Sequence, residues 1–214
     1  MEKIIINIGR QLGSGGRVIA QKLAETFHCE FYDKEILNLA AKESGFSAKF
    51  FEQHDEHKGF LKSLWHMRVP HISDVNFYKS KFSQESLFQF QSDAIKKAAS
   101  KGSCVFVGRC ADYILRDMPE VINIFITADL TWRIRQVMKR HDCTEEKARK
   151  IIHNAESRRA SYYNYYTGKQ WGDAANYDIC IKANILGLDA TAQYLADFIR
   201  ERQHLKRAFT ESIR

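Results

Sequence analysis

Gly13-Ser14-Gly15-Gly16 puts three glycines into four residues. A short apolar run, Ile4-Ile5-Ile6-Asn7-Ile8, precedes it, and Val18, Ile19, Leu23 and Phe27 follow at helical spacing. A glycine turn between a strand and a helix is suited to holding phosphate. Glycines let backbone N–H groups converge, and the helix N-terminus adds about half a positive charge. The general phosphate-loop pattern is G-x-x-x-x-G-K-[ST], in which Lys reaches the outer phosphates and the hydroxyl binds magnesium. With Gly15 as the last loop glycine, Gly16 stands at the lysine position and Arg17 at the hydroxyl position. Arg10 or Arg17 could replace the lysine electrostatically, because guanidinium binds phosphate through paired hydrogen bonds. The bland alternative is a turn that only packs a helix on a strand, and the flanking arginines argue against it.

A second chemical position is Gly108-Arg109, which ends the apolar run Cys104-Val105-Phe106-Val107. An arginine directly after a buried strand is poorly explained by packing. In open parallel sheets ligands sit beyond the carboxyl ends of the strands. His54-Asp55-Glu56-His57 invites a metal reading, but no Cys lies nearby to complete a structural zinc site, so a solvated polar face is expected and no metal ligand is named.

These residues need an α/β frame. A strand over 4–8 leads through the glycine turn into a helix. A second short strand, Glu30–Tyr32, precedes a helix from about Asp33 with Ile36, Leu37, Leu39 and Ala40. Residues 46–100 are polar and aromatic, without a convincing strand, and are expected to form an inserted helical lobe. Alternation resumes at Cys104–Gly108, with a helix to Leu115, a strand Val121–Thr127 and an amphipathic helix Leu130–His141. Thr144 is placed to cap the next helix, with Glu145 and Glu146 in its first turn. Residues 158–177, RRASYYNYYTGKQWGDAANY, read as a break rich in aromatics and arginine. A last strand over 177–182 and a terminal helix through Leu188, Ala192, Leu195 and Ile199 complete a parallel sheet covered on both faces.

Five segments carry a resemblance: GRQLGSGGRVIAQKLAE, FYDKEIL, VFVGRCADYIL, INIFITADLTWRIRQVM and RRASYYNYYTGKQWGDAANYDICI. In this order they resemble the cytidylate kinase-like proteins, a divergent branch of the P-loop nucleoside monophosphate kinases. The resemblance spans nearly the whole chain and is weakest over 46–100. It implies one kinase-like domain over 1–214, an acceptor-binding lobe over 46–100, and a lid over 156–177. It implies ATP and magnesium, with transfer of the γ-phosphoryl group to a nucleoside monophosphate, CMP or dCMP first. Arg10, Gly13, Ser14, Gly15, Gly16 and Arg17 would hold the donor, with Arg133 nearing it from the helix after Asp129. A solvated helix face is the other reading of Arg133. Asp33 and Arg109 would meet the acceptor, although Asp33 also suits a helix N-cap. Where the family has glycine-arginine-aspartate, Cys110 follows Arg109 here. The nearest acid is Asp112, which either pairs with Arg109 or binds magnesium through water. Arg158 and Arg159, with Arg17, would stabilise the charge spread over the transferring phosphoryl oxygens. Tyr162, Tyr163, Tyr165, Tyr166 and Trp171 either stack a base or pack the lid.

Composition agrees with this class. The chain has 214 residues, and 33 Lys+Arg against 26 Asp+Glu leave a net charge of +7. The excess favours anionic partners, but no run of like charges marks a nucleic-acid arm, so a small-molecule nucleotide is expected instead. Hydrophobic residues at 44% suffice for a core. No apolar run approaches the ~20 residues that span a bilayer. Five cysteines without a C-x-x-C pair point to a reducing, cytoplasmic compartment. Two rival readings remain: a kinase of another small acceptor, and a non-catalytic nucleotide sensor, the latter motivated by the missing loop lysine.

Overall fold

The computed structural model describes residues 3–33 and 84–212. The chain divides into two compact units, residues 1–33 with 98–214, and residues 34–97. The helix expected from Asp33, the His54–His57 cluster and the lobe over 46–100 up to residue 83 lie outside the described residues. The remainder of that lobe is helix α2, Gln84–Lys101, whose last turn belongs to the first unit.

The first unit is built on five parallel strands, β1 (Ile5–Arg10), β2 (Glu30–Tyr32), β3 (Cys104–Val107), β4 (Val121–Thr127) and β5 (Ile179–Lys182). Their order is β2-β3-β1-β4-β5. Strands that read as continuous apolar runs belong in the middle of a doubly covered parallel sheet, and β1, β3 and β4 occupy it. One face carries Ile4, Ile6, Ile8, Val105, Val107, Ile122, Ile124 and Ile126. They pack against Ile19 and Leu23 of α1 (Gly16–Thr26) and Leu195 and Ile199 of α7 (Leu188–Ser212). The opposite face is more aromatic and polar: Tyr32 stacks on Phe106 at 5.3 Å, and Asn7 donates to Asn123 across β1 and β4 at 2.9 Å.

The chain leaves β1 toward the β2 edge and leaves β3 toward the β4 side. The crevice outside the carboxyl ends of β1 and β3 is therefore where the topology reverses, the place that open α/β sheets use for ligands.

Between the strands run α3 (Ala111–Ile114), α4 (Leu130–His141), α5 (Glu145–Thr167) and α6 (Ala183–Leu186). Thr144 caps α5 as expected, accepting from the Lys147 amide at 3.4 Å. Glu145–Arg149 and Glu146–Lys150 pair along its exposed first turns. The expected break after residue 157 does not occur. Helix α5 runs on unbroken to Thr167, because Ala155, Tyr163 and Thr167 keep buried positions on one side of it. It ends where Gly168 takes a left-handed conformation, φ 68. Cys180, expected inside an apolar strand, is exposed because β5 is an edge strand.

Candidate functional site

The glycine turn is built by its own backbone. Gln11 continues the β1–β4 pairing by donating its amide to the Ile126 carbonyl at 3.0 Å, and its carbonyl accepts from the Ser14 amide at 3.4 Å and hydroxyl at 2.9 Å. The Ser14 hydroxyl in turn accepts from the Gly16 amide at 3.4 Å, so this fully buried side chain shapes the turn from within. Gly13 and Gly15 stand at φ 81 and 83, left-handed values that glycine adopts without steric cost. Gly15 is the residue before α1, so the amides of the helix N-terminus open onto the turn.

Arginines from separate segments surround this turn. Arg10 and Arg17 share one counter-ion, Asp33: Arg17 Nε donates to it at 2.7 Å and Arg10 approaches to 4.0 Å. Arg17 also lies over the Phe31 ring at 5.6 Å. Arg159, from α5, donates to the Arg10 carbonyl at 3.1 Å. Its neighbour Arg158 is exposed. Asp33, Arg10, Arg17 and Arg159 are thus brought together from residues 149 positions apart.

Arg109 sits in a run of three left-handed residues, Gly108 (φ 76), Arg109 (φ 61) and Cys110 (φ 56). Two of them carry a Cβ, at a strain of about 1–2 kcal/mol each, and such strain gathers at functional turns. Asp112 follows in the first turn of α3. Its carboxylate accepts from the Tyr163 hydroxyl of α5 at 2.6 Å. Burial pushes the Asp112 carboxyl up from its ordinary value, opposed by that hydrogen bond and by Lys169. Burial pushes the Tyr163 and Tyr177 hydroxyls up from their ordinary value, and the nearby Asp112 carboxylate raises both further. Tyr177 also packs on Phe125 and covers Gly9, whose missing Cβ would lie 3.1 Å from the tyrosine ring.

A raised carboxyl destabilises the fold when it ionises, so this contribution is complete below the ordinary carboxylate pKa and is lost as pH rises through the folded value. Asp112→Asn keeps an oxygen for Tyr163 and removes the charge. It is expected to equal or exceed the wild-type stability near neutral pH, and to lose that relative advantage in acid. Denaturant unfolding at the two pH values reads this directly. An unchanged difference would show that Asp112 titrates alike folded and unfolded.

Arg133 is placed inside the fold. It is 7% exposed, donates to the Ala128 carbonyl at 3.0 Å and pairs with Glu156 of α5. Its backbone meets the turn: a Cβ on Gly13 would lie 2.7 Å from the Arg133 carbonyl oxygen. Among the aromatics, Trp171 packs on Phe125 at 5.5 Å, Tyr162 and Tyr165 lean on Tyr166, and Tyr165 is exposed. Sequence reasoning passed over Gln11, Glu156 and Tyr177. Only Gln11, lying inside the loop motif, carried a signal that could have found it.

Five parallel strands, a glycine turn opening onto a helix and a crevice lined by arginines define a kinase-like phosphotransferase of the P-loop class. Residues 5–185 match the cytidylate kinase-like family, and the chain belongs to it. A cytidylate kinase of Methanosarcina acetivorans is 26% identical over 172 residues, 79% of this chain and 81% of that one. A solved structure of an uncharacterized protein from Eubacterium ventriosum is 31% identical, with a TM-score of 0.69 over 92% of this chain and 99% of that one. Shikimate kinase from Bacteroides thetaiotaomicron shares the fold alone, with a TM-score of 0.55 at 9% identity over 93% of this chain and 99% of that one. No helix among the described residues is long and apolar enough to cross a membrane.

Proposed function

We propose that the chain transfers the γ-phosphoryl group of ATP to a nucleoside monophosphate, with CMP or dCMP the first acceptors to test. The observation that carries this reading is the convergence of Arg10, Arg17 and Arg159 at the carboxyl end of β1, beside the glycine turn and at the topological crevice. Phosphoryl transfer requires little beyond positioning and charge stabilisation, and a phosphate acceptor is already anionic. The turn from Gly13 to Gly16, with Arg17, would hold the donor phosphates. Arg109 and Asp33 would meet the acceptor, with Asp112 supporting that side through Tyr163. Arg158 and Arg159, on the segment 156–177 read as a lid, would neutralise the transferring group. The lobe over 46–100 would select the acceptor.

Magnesium bound to nucleotide takes most of its ligands from phosphate and water and one or two from protein. Asp33, whose carboxylate pairs with Arg17 at the first turn of α1, would offer one protein ligand to such an ion. When bound, such an ion would supply positive charge that stabilises the transferring phosphoryl oxygens.

The test is ADP release from ATP and magnesium, with each nucleoside monophosphate offered separately. CMP or dCMP should support turnover, and Arg158→Ala should lower it about 100-fold or more, at the modest end of what phosphoryl-transfer arginines contribute. Arg158 is the cleaner substitution because it is exposed, whereas Arg159 also holds the Arg10 carbonyl. Intact ATP binding with silence across the panel would point to another acceptor or to a nucleotide sensor.

A further inference from the structure

We infer that Arg10 belongs to the acceptor side of the site, where its guanidinium binds the acceptor's phosphate, and that its stem occupies the space an ordinary loop lysine would need. The inference rests on the phosphotransferase reading above and goes beyond it by reassigning an arginine expected to hold the donor.

Two glycines trace the path of the Arg10 side chain. A Cβ on Gly16 would lie 2.6 Å from the Arg10 Cβ and 3.2 Å from its Cγ. Those atoms are the root of the side chain and cannot swing aside, so any residue but glycine at position 16 displaces Arg10. Gly16 stands at the lysine position of the general pattern. Its lysine is therefore absent for a steric reason, and an arginine from the preceding strand fills the gap.

The guanidinium then leaves the turn. A Cβ on Gly108 would lie 2.1 Å from one terminal nitrogen of Arg10 and 3.2 Å from its Cζ. The head group thus rests on the carboxyl end of β3, beside the residue that precedes Arg109. Its other terminal nitrogen lies 4.0 Å from Asp33, which follows β2. Across the order β2-β3-β1 the side chain runs from β1 toward β3 and β2, away from β4, where the turn is tied by the Gln11 amide to Ile126. Arg17, by contrast, stays at the first turn of α1. One carboxylate steers both arginines, and the main chain of Arg10 is held by Arg159. A planar guanidinium so placed presents paired donors to a phosphate beyond the turn, next to Arg109.

The experiment is calorimetric binding to the full chain, with a non-hydrolysable ATP analogue plus magnesium and with each nucleoside monophosphate as separate probes. Arg10→Ala should weaken the bound monophosphate about 10-fold or more while the analogue's affinity stays within about twofold. Arg10→Gln keeps the stem between Gly16 and Gly108 and removes the charge, so it carries the same test should the alanine variant fail to fold. Loss of analogue affinity with monophosphate binding intact would overturn the assignment and leave the kinase reading standing. Equal losses for both probes would overturn it too, making Arg10 a scaffold of the whole turn. If the unaltered protein binds the analogue but no monophosphate, the acceptor class and this assignment fall together; if it binds neither, the kinase reading falls first.

Discussion

Gly13→Ala should weaken binding of an ATP analogue by about 100-fold or more while leaving a folded protein. The reason is backbone, not side chain. At φ 81 an alanine carries a left-handed strain of about 1 kcal/mol. Its Cβ would also lie 2.7 Å from the carbonyl oxygen of Arg133 and 3.0 Å from its Cα. Helix α4 cannot retreat there, because Arg133 is anchored by Ala128 and Glu156. The turn must move instead, and its amides lose their common focus. Two misdirected hydrogen bonds to a charged phosphate, at roughly 1.5–3 kcal/mol each, amount to a hundredfold or more. Gly168→Ala is the matched control: its φ is 68, but nothing lies within 4 Å of the added Cβ. It should show only the strain, as a small fall in thermal midpoint with binding unchanged. Equal binding by the two variants would mean that the turn is not the phosphate cradle.

The contrast between these two glycines shows where the sequence was informative and where it was not. Strand β4 and helix α4 were legible to the residue, since an unbroken apolar run and a 3.6-residue period each have one reading. The continuation of α5 to Thr167 was not. Its buried positions there are Tyr163 and Thr167 among arginines, tyrosines and asparagine, too polar a stretch to display a stripe. In the site, the turn and its flanking arginines stood out because glycine clusters and isolated charges beside strands are rare for packing reasons. The route of Arg10 over Gly16 and Gly108 did not, because it depends on β3 lying beside β1 despite nearly a hundred intervening residues. Ser14 illustrates the same limit: its hydroxyl closes the turn onto Gln11 and Gly16, a role that spacing does not display. Spacing reveals which residues can do chemistry, and only the strand order reveals which of them meet.

Glu156→Ala is expected to be the most destabilising single change in the C-terminal half of α5. The Arg133 side chain is 8% exposed and that of Glu156 23%, so removing the carboxylate leaves a guanidinium charge with little water to replace it. Breaking such a pair from one side typically costs about 3 kcal/mol or more, the penalty being the uncompensated ion rather than the lost attraction. In a chain of this length that corresponds to a fall of roughly 6–12 °C in thermal midpoint. Replacing both partners with apolar residues of similar volume, Arg133→Met with Glu156→Leu, should restore most of it, because no buried charge is then left unpaired. The double variant also separates two roles for Arg133. If the arginine acts only by bracing Gly13 through its backbone, the repacked protein should bind the ATP analogue nearly as the wild type does. If its guanidinium touches the donor nucleotide, stability should return while affinity stays low. The contacts to Ala128 and Glu156 favour the first outcome, since they take up the Nε and one terminal nitrogen of a side chain already turned inward.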